Sequence, residues 1–294
     1  MSEPSVWSSL RDRLAALLPS RFRSERPVVA ILRLTGVIGA AIPLRQGLSL
    51  ALCAPALERA FSLRGVKAVA LVVNSPGGSA VQSHLIFRRI RALAEEKKLP
   101  VFVFAEDAAA SGGYMLACAG DEIFADPSSI VGSIGVVSAG FGLDRFIERF
   151  GIERRIHAEG AHKAMLDPFR PEQPEDVALL KAIQAKVHAA FVALVKERRG
   201  ARLKGDPETL FSGAVWSGSE ALDLGLVDGL GDVRSVMRQR FGEKVQLRPV
   251  PLARPHLLRR LFDRREPSLH AGLVDPAALI AALEERAAWA RFGL

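Results

Sequence analysis

From Val28 onward, short apolar runs alternate with longer amphipathic stretches, and this alternation is the strongest constraint on the fold. Val28 to Leu34, Val66 to Val73 and Val101 to Ala105 are aliphatic and strand-sized, the signature of buried strands. Leu48 to Phe61 and Val81 to Lys98 between them read as helices, the second with Arg and Glu gathered on one face. Repeated strand, helix, strand order predicts an α/β fold with a parallel sheet and right-handed crossovers. Asp121 to Ala125 and the glycine-interrupted Ile130 to Val137 continue as short strands.

Two of the predicted strands end in glycine-rich turns. Leu71 to Val73 runs into Asn74-Ser75-Pro76-Gly77-Gly78, and Val101 to Ala105 leads to Ala110-Ser111-Gly112-Gly113-Tyr114, which opens the small-residue stretch Met115 to Gly120. A serine between strand and helix, flanked by glycine and alanine, can present its hydroxyl and leave backbone amides open to a substrate. The plainer reading of Ser111 is a cap for the helix starting at Gly112. No Asp and His pair follows Ser111 to complete a triad, but Lys163 stands in Gly160-Ala161-His162-Lys163, ahead of an apolar and proline segment. A neutral lysine can also activate a serine. A free lysine titrates at about 10.4, so such a base needs burial or a nearby cation; Ala161, Ala164, Met165 and Leu166 supply apolar flanks. His162 is a second candidate base, with a solvent-facing histidine as its plainer reading.

Asn74 to Gly78, Ala110 to Tyr114, Gly132-Ser133-Ile134-Gly135-Val136 and Lys163 stand together as in the signal peptide peptidase A family of serine peptidases, and residues 27 to 235 resemble a single-copy member of it. The interval from Ser111 to Lys163, 52 residues, is similar to that of the family's short form. The resemblance implies the superfold of the Clp proteases and crotonases, a spiral of β-α units, here with N- and C-terminal helical extensions. It implies Ser111 as nucleophile, Lys163 as general base and Ser133 as the serine that orients the lysine amine. Gly77 or Gly78, with Gly112, would supply oxyanion amides, and Asn74 would hold its loop by bonds to backbone. The expected substrates are extended apolar peptides, remnant signal peptides or cytoplasmic ones. Homo-oligomeric rings, octameric in the family, are implied too, with Ser and Lys from one subunit or from adjacent ones. Family members commonly carry an N-terminal membrane span, and this chain departs from that pattern.

The chain has 49% hydrophobic and 24% charged residues, a composition that excludes wholesale disorder. Its formal charge of +8 is concentrated at the ends, with five arginines between Arg11 and Arg26 and five between Arg254 and Arg265. A solvated surface is the first reading of such runs and attraction to an anionic membrane the second; no recognition motif accompanies them, so no nucleic-acid partner is expected. Cys53 and Cys118 cannot build a disulfide framework and read as buried thiols. No stretch is judged apolar for the roughly 18 to 20 residues of a spanning helix, and residues 1 to 26 lack the order of a secretory signal. The expected location is cytoplasmic, with possible peripheral contact at the inner face of the membrane.

Three regions result: a basic amphipathic helix over 1–26, a Ser-Lys peptidase domain over 27–235, and a basic linker with a C-terminal helix over 236–294. Trp7, Leu10, Leu14, Leu17, Leu18 and Phe22 give the first its apolar face, suited to packing or to a membrane interface. Lys181 to Arg199 reads as a long amphipathic helix, and Ser217 or Ser219 as the cap of one near Glu220. The six histidines are dispersed, so neither a metal nor any other cofactor is expected. Competing readings are a crotonase-type acyl-coenzyme A enzyme, a membrane-surface scaffold that kept the fold without the chemistry, and a Ser-Lys protease cleaving stomatin-like proteins.

Overall fold

The computed structural model describes residues 26–252, apart from 40, 43 and 44, and residues 286–293. The helix expected over residues 1–26 lies outside them up to residue 25, as do residues 253–285 of the C-terminal extension. The first half of the fold comprises β1 (Val28–Thr35), β2 (Ala41–Ile42), β3 (Arg45–Gln46), α1 (Leu50–Phe61), β4 (Val66–Ser75), α2 (Ala80–Lys97), β5 (Val101–Ala110) and α3 (Gly112–Ala117). Then come β6 (Glu122–Ala125), β7 (Ile130–Gly132), α4 (Asp144–Arg149) and α5 (Pro174–Arg199). The chain closes with α6 (Pro207–Leu210), β8 (Val215–Ser217), α7 (Gly218–Asp223), β9 (Gly229–Leu230), α8 (Val233–Phe241) and β10 (Gln246–Pro249).

The main sheet runs β10-β1-β4-β5-β6-β9, all neighbours parallel, so the α/β architecture of β-α units is the one expected. Successive residues of the central strands face opposite sides, as the two-residue period requires. Leu32, Leu71, Val73 and Val103 enter a large core under α1, α2 and α3, while Val29, Ala70, Phe102 and Phe104 meet Val236 and Met237 of α8. Burial on both faces explains why these strands are nearly continuous apolar runs. Each fully buried leucine contributes about 1.5–3 kcal/mol.

β5 forks the sheet. Phe102–Ala105 pair with β6, and Ala108–Ala110 pair with β7, which takes β8 antiparallel on its far side. The polar pair Glu106-Asp107 marks the change of partner: Glu106 bonds Arg33 at 2.6 Å, and Asp107 accepts from the Asn74 side chain. Hence β5 continues to Ala110 rather than ending at Ala105. β7 is shorter than its apolar run suggests, because Ser133 turns the chain with φ of 53°. β10 extends the sheet to Pro249, beyond the edge at residue 235 read from the sequence.

α5 begins earlier than expected, with Pro174 in its first turn beside Glu175 and Asp176, residue types suited to a helix start. Its C-terminal half is packed through Phe191, Leu194 and Val195, whereas Leu179 and Ile183 of the other half are exposed. Residues 174–202 contain a window of mean hydropathy 1.5, long and apolar enough by length and composition to cross a membrane. This corrects the expectation that no such stretch exists; part of the apolarity serves the core. Arg199, 2% exposed, pairs with Asp228 at 2.7 Å and donates to the Gly225 carbonyl.

Candidate active site

Ser111 is the hinge between β5 and α3. Its backbone has φ 54° and ψ −121°, a conformation that costs a non-glycine residue about 1–3 kcal/mol and must be imposed by its surroundings. The imposition comes from the Ser111 N–H donating to the Gly132 carbonyl at 2.8 Å and the Ser111 carbonyl accepting from Met115 at 3.0 Å. Ser111 occupies the cap position of α3, yet its side chain makes no capping bond. Helix capping therefore does not account for this serine.

The small residues of α3 let it approach the turn after β4. A Cβ on Gly113 would lie 2.5 Å from the Ser75 carbonyl oxygen, and one on Gly112 would strike Ser83 Oγ. Across the turn, a Cβ on Gly77 would lie 2.7 Å from that of Ser111 and 2.9 Å from the Gly112 nitrogen. Ser75 Oγ fixes this turn by donating to the Gly36 carbonyl at 2.7 Å and accepting from Gly77 N–H at 3.2 Å. The Gly77 amide is thus used inside its own turn. Among the described residues no acceptor takes the Gly78 or Gly112 N–H. Asn74 ties the same turn to β5, its side-chain oxygen accepting from Ala108 N–H at 3.2 Å.

Ser133 is buried, donates its N–H to the Ala214 carbonyl at 2.7 Å and lines the same cleft as Ser111. That cleft holds about 450 Å³, with Gly78, Gly112, Ser111 and Ser133 facing Met115, Val136, Val137, Val187 and Phe191. His188 of α5 meets the Ile134 carbonyl at 3.2 Å, a contact sequence reading missed. Its spacing from Phe191 and Val195 puts all three on one helix face, which was the available signal.

Lys163 is not brought to Ser111 within one copy. It is exposed in the turns Gly160 to Leu166, donates its N–H to the Gly160 carbonyl at 3.0 Å and does not line the cleft. Of its expected apolar flanks, Ala161 is exposed and Ala164, Met165 and Leu166 are half-buried. His162 lines a separate hollow of about 940 Å³ between the 138–173 arm and the start of α5. The arm has bonds of its own, including Leu143 N–H to the Pro168 carbonyl at 2.6 Å and Arg154 over the Phe169 ring at 5.4 Å. Phe141 is 85% exposed, and Phe146, Phe150 and Ile152 are exposed too.

Both thiols are buried, and burial pushes Cys53 and Cys118 up to about 12. They are protonated at neutral pH and poor nucleophiles. Among the described residues no group of His, Cys, Asp and Glu is placed to hold a metal ion.

A strained, uncapped serine beside unclaimed glycine amides defines a class: an α/β protein that holds a serine hydroxyl and open backbone amides in one cleft. The family follows from comparison. The model of peptidase family S49 matches residues 93–247, and the chain belongs to that family. It is 51% identical over 301 residues to a Brucella abortus (strain 2308) protein named Na(+)/H(+) antiporter NhaA, taking in 99% of this chain and 40% of that one. It is 33% identical over 243 residues to the chloroplastic serine protease SPPA of Arabidopsis thaliana, 78% of this chain and 35% of that protein. The chain thus spans less than half the length of either relative. A solved mutant of the 1510-N membrane-bound stomatin-specific protease aligns at TM-score 0.46 and 16% identity, covering 78% of this chain and 99% of that one.

Proposed function

We propose that this chain is a serine endopeptidase that cleaves extended apolar peptides, with Ser111 as nucleophile and Lys163 as general base. The observation that carries the reading is Ser111 itself: strained, free of any capping bond, and set in an apolar cleft beside the open amides of Gly78 and Gly112. A peptide lying along the cleft places its carbonyl carbon against Ser111 Oγ. Lys163 takes the hydroxyl proton as the new C–O bond forms, and the Gly78 and Gly112 amides receive the oxyanion, donors worth about 100- to 1,000-fold each. Collapse breaks the C–N bond, the leaving amine takes the proton from Lys163, and water then hydrolyses the acyl-enzyme by the same route. Ser133, buried on the cleft wall, orients the lysine amine.

Lys163 reaches the cleft from a neighbouring copy in a homo-oligomeric ring. In support, its arm exposes Phe141, Phe146 and Phe150, an apolar surface suited to burial against another subunit. Remnant signal peptides and cytoplasmic peptides fit the Val and Phe walls. The enzyme works on the cytoplasmic side, with the exposed apolar half of α5 available for peripheral membrane contact.

Hydrolysis of a fluorogenic apolar peptide tests the chemistry. Ser111→Ala and Lys163→Ala should each lose at least ~1,000-fold in kcat while folding is unchanged. Co-assembly of the two inactive variants should restore part of the activity if the lysine crosses between copies, and none if it does not. Activity surviving Ser111→Ala in a folded protein sinks the peptidase reading and directs the next test to acyl-coenzyme A binding.

A further inference from the structure

The Ser111 cleft is walled by small and apolar side chains, with one exception. Arg291 lines it, and among the described lining residues no other carries a charge. Arg291 belongs to the terminal segment 286–293, whose helical turn at 286–290 also brings Ala288 to the cleft. Residues three apart share a helix face, so this segment offers the cleft a small residue allowing close approach and a long cation. No acidic side chain among the described residues pairs with Arg291; its guanidinium stands over the Phe292 ring at 6.0 Å.

We infer that Arg291 is a specificity-determining residue, and that the cleft selects peptides carrying a carboxylate on the side where the terminal segment lies. The inference rests on the peptidase reading and names its substrate class: apolar peptides with one negative group, either a free C-terminal carboxylate or an acidic side chain. A guanidinium binds a carboxylate through two parallel N–H donors. An amide or glutamine in the same place forfeits both the charge and that fork. Arg291 is the one charged side chain among the described lining residues, so it is the cation this chain itself offers such an anion. Such a preference favours peptides already released from a longer chain over internal segments of intact proteins.

Binding to the full-length Ser111→Ala protein tests this separately from catalysis. Fluorescence anisotropy would compare one labelled apolar nonapeptide as its C-terminal acid and its amide, and a second pair with Glu or Gln near that end. At least one anionic member should bind about fivefold tighter than its neutral partner, the scale of a partly exposed ion pair. The acid-amide pair and the Glu-Gln pair show which carboxylate is read. The preference should vanish in Arg291→Gln, persist in Arg291→Lys at reduced size, and weaken with added salt. Equal affinity within both pairs overturns the inference, as does a preference that survives Arg291→Gln or removal of residues 286–294. Because the readout is binding, a wild-type protein that hydrolyses no peptide would refute the peptidase reading while leaving the role of Arg291 decided by the same titrations.

Discussion

Ser111 and Lys163 live in opposite surroundings. The serine is fixed by two backbone bonds, by glycines that admit no side chain and by a buried helix behind it. The lysine is exposed on an arm whose bonds are mostly local and whose aromatic residues face water. The difference teaches that one folded chain suffices to set the geometry of the proposed nucleophile, while under the proposed function the base is left for assembly to position.

Stability measurements give the largest handle on that contrast. Arg199→Leu takes from the half-buried Asp228 carboxylate its 2.7 Å partner, leaving Arg202 at 3.2 Å and the Ile123 N–H, and should cost about 2–3 kcal/mol in urea unfolding, whereas Lys163→Ala, on the exposed arm, should stay within about 0.5 kcal/mol. Comparable losses from both would break the comparison.

pH sharpens it next. Burial raises the Asp228 carboxyl, but the hydrogen bond and charge of Arg199 outweigh it and hold the group below its ordinary 3.8. Its contribution is present above that value and is lost as pH falls through the depressed one. At the other end, Cys53 and Cys118 move from 9.0 to about 12 by burial, so their protonated forms are stabilised by folding. That stability is whole below pH 9.0 and is lost as pH climbs through about 12. Urea midpoints should fall at both extremes, and Cys118→Ala should flatten the alkaline limb.

Ser111→Gly should raise stability by about 1 kcal/mol while ending hydrolysis, since glycine accepts a positive φ without strain; a lower melting temperature would remove strain from the account. His188→Leu deletes the bond to the Ile134 carbonyl and should cost about 1 kcal/mol, with a several-fold fall in kcat as Ser133 loses its fixed place. Smallest of all, Phe146→Ser should change the stability of one copy by less than about 0.5 kcal/mol yet shift sedimentation toward smaller species.

The central strands and the helices between them were legible because burial on both sheet faces writes itself as uninterrupted aliphatic runs. Glu106-Asp107 concealed the rest of β5, since a polar pair at a change of strand partner looks like a strand end. The early start of α5 was signalled by Pro174, Glu175 and Asp176, but the apolar periodicity beginning later drew the boundary to Lys181. β10 was hidden by its composition, Gln246, Leu247, Arg248 and Pro249, because an edge strand needs no apolar run. In the site, Ser111 and its glycines were readable from local backbone demands. The Arg199–Asp228 pair and the His188 contact join residues distant in sequence and leave no local pattern. Nor does any local pattern tell where the turn carrying Lys163 lies relative to the cleft.

α5 touches almost everything that matters. Arg198 holds the carbonyls of Cys118 and Gly120 at the far end of the helix that begins beside Ser111, and Arg199 anchors to Gly225 and Asp228. Further along, Val187 and Phe191 form cleft wall and His188 grips the Ser133 turn, while the free half runs out to the lysine-bearing arm. One helix thus carries the arginine anchors, a wall of the Ser111 cleft and the bond to the Ser133 turn, so a substitution that changed its tilt would be felt at all three together.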